Sequence, residues 1–148
     1  KGNEEYLCNC GKTGCFEAST SAAAWTNECK RLSKKYPESE LAMKFSEEKL
    51  GSIIFDRSIN LNSEESATRD KIIVNISNGL VSLFEIFDNE AFILGGSMAG
   101  KPYDLVLLID QDIKNRFKFP SRVFPQILVS TQKGEAGIVG AALIARNE

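Results

Sequence analysis

The chain has 148 residues, 43% of them hydrophobic and 26% charged, with a formal net charge of -2. That is the composition of one globular domain with enough apolar material for a core, and it excludes a disordered or fibrous sequence. The near-balanced charge and the lack of any sustained Lys/Arg run argue against direct nucleic-acid contact or an anionic membrane as partner.

The N-terminal KGNEEY lacks the basic-then-apolar layout of a signal peptide, and no apolar run approaches the ~20 residues of a spanning helix. A cytoplasmic location and no membrane partner are therefore expected. The chain opens on Lys rather than Met, and the expectation is a piece of a longer protein.

Next comes CNCGKTGCFEAST, which places Cys8, Cys10 and Cys15 within eight residues of a chain that has no histidine. Three readings fit: a metal held one ligand short, paired disulfides, or a fourth ligand outside this sequence. In a reducing compartment clustered thiols are more often metal ligands than disulfides. The C-x-C-x4-C spacing, eased by Gly11 and Gly14, lets three sulfurs converge on a tetrahedron with edges of about 3.7 Å, given Zn–S near 2.3 Å. Cys29 stands apart and reads as a small buried apolar residue.

After Glu17, EASTSAAAWTNECKRLSKKY predicts a helix whose basic end suits the negative pole of its dipole. Pro37 stops it. Residues 39–50 read as a short amphipathic helix carrying Leu41, Met43, Phe45 and Leu50, and residues 51–61 as a further short helix or turn. Asn62 with Glu65 forms a capping pair, Ser63 with Ser66 being the competing register, and the helix that follows should run to about Asp88. Its second half, IIVNISNGLVSLFEIF, is apolar nearly all round and predicts a buried central helix.

AFILGGS then reads as a buried strand feeding a glycine turn. A helix is expected from Lys101 or Pro102 through YDLVLLIDQDIKNRF. Pro120 and Pro125 bound a loop. QILVST is a second strand, with Ile127 and Val129 on one face and Leu128 on the other. GEAGIVGAALIARNE closes the chain as a small-residue helix. Two or three strands among about five helices give an α/β class, with too few strands for a stable sheet alone.

The run Cys8-Asn9-Cys10-Gly11-Lys12-Thr13-Gly14-Cys15-Phe16-Glu17 resembles the C-x-C-G-x-x-G-C-x-E signature of ROK proteins, the repressors, open reading frames and sugar kinases of the actin-like ATPase superfamily. LFEIFDNEAFILGGSMA resembles the family's helix-strand-glycine passage, and GEAGIVGAALIA its C-terminal helix. Residues 36–62 carry no such motif.

The resemblance implies a partial actin-like, ribonuclease H-like C-terminal lobe over residues 1–148. Residues 1–17 form its zinc loop and sugar-contact segment, and residues 18–148 its nucleotide side. It implies that Cys8, Cys10 and Cys15 bind a structural zinc whose fourth ligand, a histidine, falls about two positions before Lys1. It makes Glu17 the acceptor of hydrogen bonds from sugar hydroxyls, with a first-turn acid at a helix N-terminus as the plain alternative. Gly95, Gly96 and Ser97 would lie against the adenosine of ATP, or form a purely structural turn. Ser97 replaces a more frequent third glycine, and Asn89 a proline.

By the same resemblance the phosphate loops and the catalytic Asp lie upstream of this chain, and Asp56, Asp70, Asp88, Asp104, Asp110 and Asp112 match no catalytic motif. The expected parent is an ATP- and Mg-dependent hexose kinase. The rival is a sugar-responsive repressor. Loss of the upstream lobe would leave Leu80, Phe84, Phe87 and Ile93 without partners, and a homo-oligomer is expected.

Overall fold

Residues 3–95, 104–131 and 135–146 are described by a computed structural model. Two short strands, β1 (Asn3–Leu7) and β2 (Thr13–Gly14), pair antiparallel and enclose the first two cysteines. They lead into α1 (Phe16–Thr20) and α2 (Ala22–Lys35). The sequence predicts one helix here, and the structure has two. Ser21 takes extended backbone (φ -77°, ψ 158°), its amide closes α1 on the Glu17 carbonyl, and its hydroxyl accepts from the Ala24 amide at 3.3 Å. A serine that can cap competes with helix continuation, and at this position the cap wins.

α3 (Glu40–Glu48) and a 3-10 turn at Gly51–Phe55 follow, near the expected bounds. The central α4 spans Ser63–Phe87 and begins in the Asn62 register. The Asn62 Oδ1 accepts from the Glu64 and Glu65 amides at 3.0 Å each, and the Glu65 carboxylate accepts from the Asn62 amide at 2.8 Å. That reciprocal pair satisfies first-turn donors the helix itself leaves open.

α4 is not buried all round, contrary to the sequence expectation. Ile72, Ile73, Ile76, Leu80, Val81 and Phe84 face the core, while Ile86 and Phe87 are 71% and 69% exposed. Leu80 and Phe84 also differ from expectation in being buried within this chain. The loop between α5 (Leu105–Arg116) and β4 (Gln126–Val129) supplies the cover for Phe84: Phe119 and Phe124 meet its ring edge-on at centroid distances of 5.4 and 5.3 Å. Arg122 anchors that loop through Glu85 and Asp88 and lies over the Phe84 ring. Phe87 and Ile93 are exposed, as expected.

β3 (Ala91–Leu94) pairs with β4 in parallel, Ala91 opposite Gln126 through Leu94 opposite Val129. The predicted start of α5 at Lys101 or Pro102 lies outside the described residues, and the helix is observed from Leu105. α6 (Ala136–Arg146) ends the described chain. In the core α2 and the 3-10 turn pack against α4, α3 packs against α2 and the turn, and α5 packs along α4, with Phe55, Leu32, Leu41 and Ile109 fully enclosed. Among the described residues no helix is long and apolar enough to cross a membrane.

Glu64 ties α4 to α2 by accepting from Lys35, Tyr36 and Arg31. These partners, Lys35 foremost, hold its carboxyl down at about 2. A carboxyl whose folded value lies below its free value of about 4.3 contributes stability that is full above that value and lost as pH falls toward the folded one. Melting temperature should therefore decline between about pH 4.3 and 2 more steeply in the native chain than in Glu64→Gln. Parallel acid limbs in the two proteins would assign the decline to other carboxylates.

Candidate metal centre and substrate cleft

The turn between β1 and β2 is set by backbone before any side chain acts. The Cys8 amide donates to the Lys12 carbonyl at 2.7 Å and the Gly11 amide to the Cys8 carbonyl at 2.9 Å. Gly11 and Gly14 sit at φ 82° and 73°, the left-handed region that glycine enters without strain. These two reversals fold the segment so that the Cys8, Cys10 and Cys15 sulfurs all lie within 4.8 Å of one another, with Cys10 and Cys15 at 3.6 Å.

The Cys10–Cys15 distance is close to a tetrahedral zinc edge of about 3.7 Å, and three soft thiolates suit that ion. Among the described residues these three are the members of the group. Their electrostatics point the same way. Cys10 is lowered by a backbone hydrogen bond from Lys12 and by bonds from Cys8 and Cys15, while Cys15 is pushed up to about 11 by its hydrogen bonds to Cys10 and Cys8. Sulfurs this close share protons, because adjacent anions repel, and a bound cation removes that conflict. Cys29 is elsewhere, fully buried on α2 with its thiol directed at the Gly51 carbonyl at 3.5 Å. Burial pushes it up to about 12, so it behaves as the apolar residue expected.

Glu17 lies two residues beyond Cys15, exposed in the first turn of α1. It lines a cleft of about 100 Å³ with Cys8, Asn9, Ser21 and Asn27, a mixed polar wall at the foot of the cysteine turn. Sequence reasoning missed what seats this segment. Phe16 presses onto α4 at Gly79, where an added Cβ would overlap its ring. A glycine in mid-helix costs about 1 kcal/mol against alanine, and that anomaly was the available signal.

Gly95 ends β3, exposed, and a Cβ built there meets nothing within 4 Å. It borders a second cleft of about 270 Å³ whose walls include Phe16, Trp25, Leu80, Ile93 and Leu105. Gly96 and Ser97 lie outside the described residues. Phe16 also lines this cleft, so the helix that carries Glu17 touches both cavities. Asp56, Asp70, Asp110 and Asp112 bond to Ser58, Arg69, Lys114 and Arg116 respectively, and Asp88 to Arg122.

The ROK family profile matches residues 2–148. The chain belongs to the ROK family. The ROK chain is 28% identical over 144 residues to the glucokinase of Thermotoga maritima, covering 95% of this chain and 45% of that protein. It superposes with a TM-score of 0.77 on the crystal structure of a ROK family glucokinase from Streptomyces griseus in complex with glucose and AMPPNP. That match has 25% identity and covers 98% of this chain and 48% of the other. The ROK chain thus spans less than half the length of these relatives. Its α/β architecture is that of an actin-like ATPase lobe.

Proposed function

We propose that this chain is the C-terminal part of an ATP-dependent hexose kinase. The observation that carries the reading is the likeness to a glucokinase whose structure holds glucose and an ATP analogue. The second relative is also a glucokinase, which favours a kinase over the repressor reading. In this role the chain contributes contacts to sugar and nucleotide rather than the catalytic base.

The cysteine turn holds a structural zinc, which when bound cross-links the three thiolates and so fixes the start of α1. Glu17 then stands as a rigid ionised acceptor for sugar hydroxyls, stronger in that role than a neutral group. Gly95 and Gly96 let the adenosine of ATP lie directly against backbone, with Ser97 beside them carrying a small hydroxyl. In the full protein, positioning of the γ-phosphoryl against the sugar hydroxyl, with magnesium balancing phosphate charge, carries the reaction.

Glu17→Gln in the full protein should weaken sugar binding by about 1.5 to 3 kcal/mol, the range for a hydrogen bond to a charged group, and leave ATP binding unchanged. Equal losses for both ligands, by calorimetric titration, would sink the assignment. Gly95→Val separates contact from folding, because the space beyond Gly95 is open. ATP affinity should fall at least about tenfold, equivalent to ~1.4 kcal/mol, at unchanged melting temperature. Unaltered affinity would return Gly95 to a structural turn.

A further inference from the structure

The three clustered thiols are not equivalent. Cys10 is exposed on the turn, whereas Cys8 and Cys15 are half-buried. The Cys10 and Cys15 sulfurs stand 3.6 Å apart, and between them lie Gly11 and Gly14, both in the left-handed region. A disulfide needs about 2.05 Å, so the two must approach by roughly 1.5 Å. Rotation about their own side-chain bonds, within a loop that holds two glycines, can supply that movement.

Cys8 is placed differently. Its amide and its carbonyl are both engaged across the turn, to Lys12 and Gly11. It is also separated from Cys10 by a single residue, a spacing that strains disulfide torsions. Cys29 is buried against Gly51 and cannot reach the cluster without unfolding α2.

We propose that Cys10 and Cys15 form an oxidisable dithiol, Cys10 being the site that meets a hydroperoxide and Cys15 the thiol that resolves it. The Cys10 sulfur attacks the outer oxygen of the peroxide, the O–O bond breaks, and the leaving alkoxide or hydroxide takes a proton. The Cys15 sulfur then attacks the Cys10 sulfenic sulfur and expels hydroxide, which is protonated to water. Two thiols lose two electrons and two protons, and the peroxide bond accepts them. The product withdraws two of the three thiolates of the metal turn, so a bound zinc ion is released. Because Cys15 immediately precedes α1, the same bond shifts the turn that positions Glu17.

The bridge itself rests on geometry alone, and only the release of metal rests on the zinc reading above. The test treats the reduced, zinc-loaded full protein with stoichiometric hydrogen peroxide and follows it by peptide mapping and a zinc-sensitive dye. The expected result is loss of two hydrogens in a Cys10–Cys15 cross-linked peptide and release of about one zinc per bridge. Cys29 should stay fully alkylatable, and a dithiol reductant should reverse the change. In Cys15→Ser, a dimedone adduct should accumulate at Cys10. A dominant Cys8–Cys10 or Cys8–Cys15 bridge, over-oxidation of Cys10 without a bridge, or an unreactive cluster would each overturn the proposal. A bridge formed in a protein that binds no zinc when reduced would uphold the dithiol and refute the metal.

Discussion

In the full protein, Cys10→Ser should reduce bound zinc from about one ion per chain to a small fraction of that and lower the melting temperature by about 10 °C in zinc-containing buffer. The size follows from linkage. An ion present at a thousand times its dissociation constant stabilises the folded state by about 4 kcal/mol, and each kcal/mol moves a domain of this length by roughly 2–4 °C. Removing one of three thiolates removes most of that term, since on the proposed zinc reading the ion would hold the turn by joining Cys8, Cys10 and Cys15. Excess chelator on the unaltered chain should reproduce the shift, and Cys10→Ser should then respond to chelator hardly at all. Metal analysis alongside thermal unfolding checks both. Zinc lost without any thermal shift would show that the ion decorates the turn instead of holding it.

The local parts of this molecule were readable because their causes are local. Asn62 and Glu65 form their capping box from residues three apart, and nothing distant can add to or remove it. The cysteine spacing and the two turn glycines are likewise one short segment, and the spacing alone predicts that the three sulfurs lie together, as they do. The break at Ser21 was not legible, since Ala22–Ala24 favour helix and a capping hydroxyl competes on nearly equal terms. The exposed side of α4 was not legible either. Ile86 and Phe87 are as apolar as Phe84, and that Phe84 is the covered one depends on Phe119, Phe124 and Arg122 arriving from more than thirty positions away.

Glycine packing lies between these cases. Gly79 and Gly51 announce only that some neighbour comes close, not which one. For Gly79 the neighbour is Phe16, so the cysteine turn, Glu17 and the central helix are joined through one ring. The structure thereby links a motif read from sequence to a contact that no spacing encodes.

Gly51→Ala should be among the most damaging single-methyl additions in the chain, costing about 3 kcal/mol or more of a domain stability of roughly 5–15 kcal/mol. Gly51 is buried at the start of the 3-10 turn, and a Cβ there would overlap the backbone of Trp25 and Thr26 in α2. Backbone cannot rotate aside as a side chain can, so relief requires α2 and the turn to separate. That separation would part Trp25 from Phe55, now edge-on at 4.9 Å, and open Ile53 and Ile54, which are almost wholly enclosed. It would also loosen the Cys29 contact to the Gly51 carbonyl. Trp25 is the chain's single tryptophan and is 6% exposed, so its emission should shift to the red as the contact opens. Gly137→Ala in α6 is the control, because a Cβ there meets nothing within 4 Å and alanine should strengthen the helix by about 0.5–1 kcal/mol. Urea unfolding followed by Trp25 emission should therefore move the two midpoints in opposite directions. A Gly51→Ala protein with the same midpoint and emission as the Gly137→Ala protein would show that α2 and the turn are not held at backbone contact.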